Sequence, residues 1–334
     1  MRLMEIKPGA RVAVAGAGAF GSTIALVLAE AGFAVRHFDS ARLGANASGV
    51  AAGMLAPAAE AVFDPAAAAH LDLLRRARDL WPALAARIGV SLHREGLRVE
   101  GRSDWVDEVA ARFQALGLTF RRDAGGLTSD EDWRLDARST LAALRTAALA
   151  HGASLQERAL EARDIPHFAM TVIATGAAGG DLAPELAFLS PIKGQILRAA
   201  GGLSEGPILR GQGVYVCPAR DPAIGATMEA GRSDLEVDWR ALEPLKAAAL
   251  ALRPDLGQPM TAEVGIRAAT PDGLPLVGPS QTPGVFLAVG ARRNGWLLAP
   301  LVADLVAAYL TGKDPGPDAA RFEARRFSRP DDTE

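Results

Sequence analysis

The sequence predicts a mixed α/β protein in which a domain of parallel strands and helices, assembled from discontinuous segments, carries an inserted antiparallel β-sheet. Three observations lead to this fold class. A strand–helix–strand pattern opens the chain, strand and helix patterns recur near its end, and the middle carries short apolar runs typical of an antiparallel sheet. Separated α/β segments around a β-rich middle indicate one layered domain interrupted by another.

The opening unit is the clearest local pattern. The apolar run Arg11–Ala15 is typical of a short buried strand, and the apolar residues over 20–31 predict a helix. Gly32 follows where a glycine commonly ends a helix, and a second strand is expected over 33–38. The order predicts two parallel strands joined by a crossover helix.

The rest of the chain predicts further elements of both kinds. The segment 45–57 is expected to be an ordered loop or helix entry, and 65–88 a helical stretch broken near Trp81 and Pro82. Glycines alternating with apolar runs over 90–122 predict a hairpin followed by a helix over 104–116. Further helices are expected at 136–151, 238–252 and 296–310, and further strands at 169–174, 191–198, 213–218, 223–228, 263–267 and 285–289.

Length and composition limit the function classes. A chain of 334 residues is long enough for roughly two domains. The 36 basic and 39 acidic residues give a formal net charge of −3, which argues against a nucleic-acid partner. Hydrophobic residues at 49% and charged residues at 22% are those of a folded globular protein, so wholesale disorder is excluded.

Cysteine usage and the chain ends indicate a cytoplasmic protein. The single cysteine, Cys217, excludes an internal disulfide and a cysteine-rich metal site, and the five histidines show no metal-ligand spacing, so no metal is expected. Charged residues precede the first apolar run, which does not fit a secretory signal, and no window fits a membrane span. Residues 330–334 are expected to be frayed.

The sharpest motif is a glycine loop between the first strand and the first helix. Gly16, Gly18 and Gly21 form a G-x-G-x-x-G pattern. Gly16 permits a tight turn, Gly18 lets the backbone approach a pyrophosphate, and Gly21 lets the helix pack closely on the strand. The helix N-terminus then offers unpaired N–H groups to the phosphates. The alternative is an ordinary strand–helix turn with packing glycines.

Asp39 strengthens the prediction of a dinucleotide site. It comes 18 residues after Gly21 and ends the second strand, where a carboxylate accepts hydrogen bonds from ribose hydroxyls. An acid at this position disfavours a 2′-phosphate and therefore NADP. The motif by itself does not separate FAD from NAD.

Further motifs resemble one family of flavoenzymes. The segment 47–57, with the run Ala-Ala-Gly-Met-Leu-Ala-Pro, resembles the second flavin-contacting loop of the D-amino-acid oxidase superfamily, and within it the glycine oxidases of the thiamine-biosynthesis type. Similar blocks follow in the same order along nearly the whole chain. They are Pro191-Ile-Lys-Gly-Gln195, Gly225-Ala-Thr-Met228, Val264-Gly-Ile-Arg267, Thr270-Pro-Asp-Gly-Leu-Pro-Leu-Val-Gly278 and Gly290-Ala-Arg-Arg-Asn-Gly-Trp-Leu-Leu-Ala-Pro300.

The resemblance implies a Rossmann-like FAD-binding domain and a non-covalent FAD, since Cys217 does not lie where related sarcosine oxidases attach flavin. It implies FAD-binding domain segments 1–75, 135–188 and 262–334, and a substrate-binding domain of 76–134 and 189–261. Besides the motif glycines, the residues that it implies for FAD are Ala19 and Phe20 at the pyrophosphate, Asp39 and Ser40 at the adenosine ribose, Ala47, Ser48, Ala52, Gly53 and Met54 along the flavin, Leu160 on the strand after Gly152 at the adenine, and Ala291, Arg292, Arg293, Asn294, Gly295, Trp296 and Leu297 beside the isoalloxazine.

The resemblance also implies three substrate-binding residues. Arg267 matches the arginine that binds the substrate carboxylate, Tyr215 matches a tyrosine that bonds the same carboxylate, and Met228 is expected near the substrate side chain. Hydride transfer to a flavin needs orientation more than acid–base groups, so no catalytic side chain is expected. The alternatives are that Arg267 pairs with Asp272 or another surface acid, that Tyr215 packs at a sheet edge and that Met228 fills the core.

Three functions follow from these expectations. The first is FAD-dependent oxidative deamination of glycine or a small amino acid with O₂ as acceptor, the imine being passed on in a thiamine pathway. The second is a D-amino-acid or sarcosine-type oxidase or dehydrogenase. The third is a flavin-binding accessory subunit without turnover. A homo-oligomer is an expectation from the family alone.

Overall fold

The computed structural model of the protein describes residues 5–327, so the segment expected to be frayed, 330–334, lies outside it. Contacts divide the chain into two units. The first comprises the described parts of 1–49, 138–192 and 266–334, and the second comprises 50–137 and 193–265. The sequence prediction assigned residues 50–75 to the FAD-binding domain, whereas they belong here to the second unit. The division by contacts does not show which segments bind FAD and which bind the substrate, so that part of the domain prediction stays a prediction.

The described chain alternates helices and strands. The strands are β1 (Arg11–Ala15), β2 (Ala34–Phe38), β3 (Met54–Leu55), β4 (Leu97–Glu100), β5 (Arg121–Asp123), β6 (Gly126–Ser129), β7 (Trp133–Arg134), β8 (Ser154–Gln156), β9 (Met170–Ile173), β10 (Ser190–Arg198), β11 (Ile208–Gly211), β12 (Val214–Cys217), β13 (Ala223–Gly225), β14 (Glu229–Ala230), β15 (Thr261–Ala269), β16 (Leu276–Pro279) and β17 (Val285–Val289). The α-helices are α1 (Ala19–Glu30), α2 (Ala47–Val50), α3 (Pro57–Phe63), α4 (Pro65–Ala68), α5 (Leu71–Asp79), α6 (Trp81–Ile88), α7 (Ser103–Ala115), α8 (Ala137–Ala150), α9 (Trp239–Leu252) and α10 (Gly295–Leu310).

The first unit is built on a six-stranded sheet. Its order is β16-β17-β9-β1-β2-β8, and all neighbours are parallel except β16 and β17. The chain leaves β1 towards β2 on one side, while β9 lies on the other side. Since ligands of open α/β sheets bind at the carboxyl end of the strands where the strand order reverses, this topology directs attention to the loop after β1.

Two apolar helices belong to this unit and are buried on most of their surface. Ten of the twelve residues of α1 are buried, as are most residues of α10. A helix that is apolar on all sides has to be buried on all sides. Helices α1 and α10 pack against each other and so bury part of each other's surface. The predicted end of α1 is confirmed, because Gly32 has the left-handed φ of +85° that lets the chain turn into β2.

The second unit carries most of a nine-stranded, mainly antiparallel sheet of order β14-β10-β13-β12-β11-β4-β6-β5, with β15 beside β10. The expected antiparallel sheet in the middle of the chain is confirmed, since β10, β13 and β12 are antiparallel neighbours. The hairpin expected over 90–122 is wrong. The strand in that region, β4, pairs instead with β6 and with the unpredicted β11.

Two further local expectations are corrected. The segment 45–57 forms the short helix α2 and the strand β3, because β3 finds an antiparallel partner in β7 far along the chain. The strand expected over 223–228 ends at Gly225, so Met228 lies beyond it. Within residues 5–327, no helix has the length and apolar character needed to cross a membrane.

Candidate cofactor and substrate site

The glycine loop after β1 has the geometry that its motif predicts. Gly16 adopts a φ of +98°, as a tight turn requires. A Cβ on Gly21 would overlap the carbonyl oxygen of Gly16, so only glycine allows α1 to approach the loop this closely. A Cβ on Gly18 would come within 3.0 Å of the Ser48 hydroxyl oxygen. The geometric reasons predicted for Gly16 and Gly21 are confirmed.

The N-terminus of α1 is suited to an anion. Its N-cap is Gly18, which has no side chain to cap the helix, and no acidic residue lies in its first turn. Of the N–H groups that open the helix, that of Ala19 donates to the Ser48 hydroxyl. Such an end presents backbone N–H groups and the positive end of the helix dipole. The loop and helix together therefore fit the pyrophosphate of a dinucleotide, with Ala19 and Phe20 opening the helix.

Three segments of the predicted site meet at Ser48 within the first unit. The N–H of Ala19 donates to Ser48 Oγ over 2.9 Å, and Trp296 Nε1–H donates to the Ser48 carbonyl oxygen over 3.0 Å. Asn46 Nδ2–H donates to the Ala17 carbonyl oxygen over 3.1 Å. The glycine loop, α2 and the start of α10 are thereby joined. The sequence analysis missed Asn46, since a lone asparagine in a small-residue loop gives no recognisable signal.

Asp39 and His37 hold the loop from the neighbouring strand. Asp39 Oδ2 accepts the Ala17 N–H over 2.6 Å, and Oδ1 accepts the Ala41 N–H over 2.7 Å. His37 Nε2 lies 2.9 Å from the Gly16 carbonyl oxygen. Burial lowers the pKa of His37, so the ring is neutral and Nε2–H is the donor that this carbonyl requires. Sequence analysis gave His37 no role.

A cavity of about 360 Å³ opens beside Asp39 at the carboxyl ends of β2 and β8. This volume lies in the range of small-ligand sites. Leu160, expected on the strand after Gly152, is not on it: that strand is β8, and Leu160 lies beyond β8 in a hydrophobic cluster. Residues of β8 and its end approach the cavity instead. The lining consists of Ala17, Asp39, Ser40, Ala41, Arg42, Leu43, Asn46, Arg145, Leu155 and Glu157.

The turn before α10 is a second constrained loop. Gly290 has a φ of +87°, and Arg292 has a φ of +51°, a conformation uncommon for residues other than glycine. The Arg292 N–H donates to the Ala268 carbonyl oxygen over 2.8 Å, which holds this turn against β15. Helix α10 has no acidic residue in its first turn and no side-chain cap from Asn294, so its N-terminus also favours negative charge.

In the second unit, the residues expected to contact the flavin are Ala52, Gly53 and Met54, which lie just before and at the start of β3. Gly53 has a φ of +76°, and a Cβ there would overlap the Leu135 carbonyl oxygen. Met54 begins β3 opposite Arg134 of β7. Cys217 is buried, and this burial raises the pKa of its thiol to about 12, so it stays protonated and inert at neutral pH.

The expected substrate residues have distinct environments. Tyr215 lies on β12, an interior strand, against Gly225, so the alternative of packing at a sheet edge is wrong. Met228 is 41% exposed, which contradicts the alternative of a core filler. Arg267 lies on β15 and is half-buried.

The carboxylate suggested as an alternative partner of Arg267 is bound elsewhere. Asp272 accepts two hydrogen bonds of 2.8 Å from Arg326, one from Nε and one from Nη2. Among residues 5–327, no group of three or more His, Cys, Asp or Glu side chains is arranged to hold a metal ion.

Comparison with known proteins agrees with this geometry. A family profile described as "FAD dependent oxidoreductase" (DAO) matches residues 11–309. The chain is 29% identical to a glycine oxidase of Pseudomonas aeruginosa, over 93% of this chain and 98% of the relative. It is 33% identical to a Rhizobium etli protein named as a thiamine biosynthesis oxidoreductase, over 92% and 98%. The crystal structure of a Geobacillus kaustophilus glycine oxidase superposes with a TM-score of 0.78 at 26% identity, covering 95% of this chain and 99% of the other. The chain belongs to the DAO family of FAD-dependent oxidoreductases.

Proposed function

We propose that this flavoenzyme oxidises glycine or another small amino acid, with O₂ as electron acceptor. The observation that carries the proposal is the similarity to a glycine oxidase over 93% of the chain. Arg267 lies within that similarity, in the run that resembles the carboxylate-binding block of glycine oxidases. A flavin-binding protein lacking turnover would have no need of a substrate-binding arginine.

Arg267 and Tyr215 bind the substrate carboxylate in this proposal. A guanidinium holds a carboxylate through two parallel N–H···O bonds, which fixes its orientation as well as its position. The Tyr215 hydroxyl donates a further hydrogen bond. Met228 limits the room for the substrate side chain. Fixing the carboxylate presents the α-hydrogen in one direction, and this orientation is the main catalytic contribution of the chain.

The reaction requires a hydride acceptor. FAD, when bound, would supply the acceptor for the hydride of the α-carbon, with O₂ as the final acceptor of the electron pair. The substrate nitrogen is neutral when it reacts and loses one proton as the C=N bond forms. Water then replaces nitrogen at that carbon, so glycine, O₂ and H₂O give glyoxylate, NH₃ and H₂O₂. No side chain acts as an acid or base on the substrate.

The residues proposed for FAD are those of the glycine loop and α1 start, Asp39 with Ser40, the segment around Ser48 and Gly53, and the turn before α10. In this proposal FAD is bound non-covalently, so acid precipitation of the protein should release all of the flavin. The kinship with a protein named for thiamine biosynthesis supports use of the imine in making the thiamine thiazole. We further propose a cytoplasmic homo-oligomer, as expected from the family.

Product formation on a set of amino acids tests the proposal. Glyoxylate and H₂O₂ should form together from glycine, at rates comparable to or above those of the competing substrates. Rates on D-alanine or D-proline far above the glycine rate would instead support a D-amino-acid oxidase, and a preference for sarcosine a sarcosine-type enzyme. A protein that holds flavin but turns over none of these is the accessory subunit of the third hypothesis.

A further inference from the structure

Arg198 on β10 binds the backbone of the segment 50–53. The last two residues of this segment, Ala52 and Gly53, are among those proposed to contact the flavin. Its Nη2 donates to the Val50 carbonyl oxygen over 2.8 Å and to that of Ala51 over 3.4 Å. Its Nε donates to Glu263 Oε2 over 3.1 Å. The Arg198 and Glu263 side chains are only 15% and 22% exposed, so solvent screens this ion pair little.

The next two carbonyls of the segment are also held. The Ala52 carbonyl oxygen lies 3.4 Å from the protonated Cys217 Sγ, and the Gly53 carbonyl oxygen accepts the Leu135 N–H over 2.9 Å. The carbonyl oxygens of four consecutive residues are therefore each bound by the second unit. This arrangement fixes the segment through contacts within the chain itself.

Only a guanidinium serves both contacts of Arg198. Its rigid fork donates from Nε to a carboxylate and from Nη2 to carbonyl oxygens at the same time. A lysine at this position would keep the positive charge but present a single ammonium group. Glu263 therefore orients Arg198, and Arg198 orients the segment.

We propose that Arg198, held by Glu263, is a positioning residue for FAD. By binding the Val50 and Ala51 carbonyls it organises in advance the backbone of Ala52, Gly53 and Met54 that contacts the cofactor. Advance organisation lowers the entropic cost of binding, so its loss weakens FAD binding without removing a direct contact. The inference depends on FAD binding and not on which amino acid is oxidised, so it can be tested whatever the substrate.

The test compares Arg198→Lys with Arg253→Lys. Arg253 donates from Nε and Nη2 to Asp255 in the same unit, and with side chains 30% and 55% exposed this pair is a matched, more exposed control. FAD release on dilution of the holoprotein, followed by flavin fluorescence, gives the dissociation constant. Arg198→Lys should raise it by about 10-fold, and Arg253→Lys by less than about 2-fold. The visible circular dichroism of the bound flavin should change only in Arg198→Lys.

Hydrogen exchange provides a second measurement, which separates a local effect on the segment 51–54 from a general loss of stability. In the flavin-free protein, the amides of 51–54 should exchange faster in Arg198→Lys than in Arg253→Lys, while exchange in β12 stays equal. If Arg198→Lys does not fold, Glu263→Gln replaces it and should raise the FAD dissociation constant by about 3-fold. An FAD dissociation constant equal to that of Arg253→Lys, with unchanged exchange at 51–54, overturns the proposal.

Discussion

Ser48 is the residue at which separate parts of the proposed cofactor site in the first unit meet. Its hydroxyl accepts the Ala19 N–H and its carbonyl accepts the Trp296 indole N–H. Ser48→Ala removes the first contact and keeps the second, so FAD binding should weaken by about 1 kcal/mol, or about 5-fold. Flavin fluorescence on dilution measures this change.

Ser154→Ala is the matched control, because the Ser154 hydroxyl is 3.5 Å from its acceptor, at the limit of a hydrogen bond, on the exposed face of β8. Equal FAD dissociation constants for the two variants would mean that the Ser48 hydroxyl does not support the site.

Arg267→Ala tests the proposed substrate contact. Loss of a bidentate carboxylate partner should lower kcat/KM for the amino acid, by an amount that corresponds to a loss of about 2–5 kcal/mol in transition-state stabilisation. The bound flavin content should stay unchanged. Steady-state rates together with the flavin absorbance per protein separate the two effects. An unaltered kcat/KM would remove Arg267 from the site.

Sequence could predict residues at this scale where the spacing itself carries the reason. Gly16 and Gly21 are examples, because a tight turn and a close helix are local requirements. Asp39 follows β2 as expected and accepts the Ala17 N–H, while its contact with a ribose stays a prediction. The Ser48–Trp296 contact was not predictable as a hydrogen bond, since its partners are 248 residues apart. Leu160 was misplaced because a three-residue strand gives too short a pattern to fix where it ends.

At the scale of elements, the approach of α1 to β1 depends on Gly21. A Cβ there meets the Gly16 carbonyl oxygen, so Gly21→Ala should displace α1, lower the free energy of unfolding by about 1–3 kcal/mol and reduce FAD content. Gly180→Ala is the control, because a Cβ at Gly180 meets no atom within 4 Å. Chemical unfolding of both variants measures the difference, and similar losses at both positions would contradict the steric argument.

The first turn of helix α3 is bound by the buried carboxylate of Asp132. Asp132 accepts the N–H groups of Ala58 and Ala59 over 2.8 and 2.9 Å. Burial raises the pKa of Asp132 from an ordinary 3.8 to about 7, outweighing these two hydrogen bonds, which act to lower it. Between about pH 4 and about pH 7 the folded protein therefore keeps a proton that the unfolded chain has released.

Stability should consequently fall as the pH rises from about 4 to about 7, and Asp132 should add no further slope above that. Asp132→Asn carries no such titration. The free energy of unfolding of the wild type, minus that of Asp132→Asn, should decrease by about 1 kcal/mol per pH unit between about pH 5 and about pH 7. Parallel pH profiles for the two proteins would show that Asp132 is ionised in the fold.

Sequence predicted the longer elements better than the shorter ones. Helices α1, α9 and α10 were found within a residue or so, since each has a long apolar pattern and a clear end signal. The strand β3 was missed and a hairpin was wrongly expected near β4. In both cases the partner strand lies elsewhere in the chain, and local patterning does not reveal it.

On the scale of the whole molecule, the two-part organisation follows from where parallel and antiparallel patterns occur along the chain. The six-stranded sheet takes β1 and β2 from the start of the chain, β8 and β9 from the segment 138–192, and β16 and β17 from near the end. The two segments of the second unit form most of the larger sheet. The predicted boundaries differ mainly over 50–75, because β3 pairs with β7. These two strands lie near opposite ends of the second unit's first segment, 50–137, and a pairing over that separation leaves no trace in composition.

The central claim is that the chain binds FAD and uses it to oxidise a small amino acid. The most direct measurement is the visible absorbance of the purified protein, recorded before and after glycine is added under nitrogen. We expect a yellow protein whose flavin band bleaches on adding glycine and returns on admitting air. A band that persists with glycine, sarcosine and D-alanine alike, or a colourless protein that takes up no FAD, would contradict it.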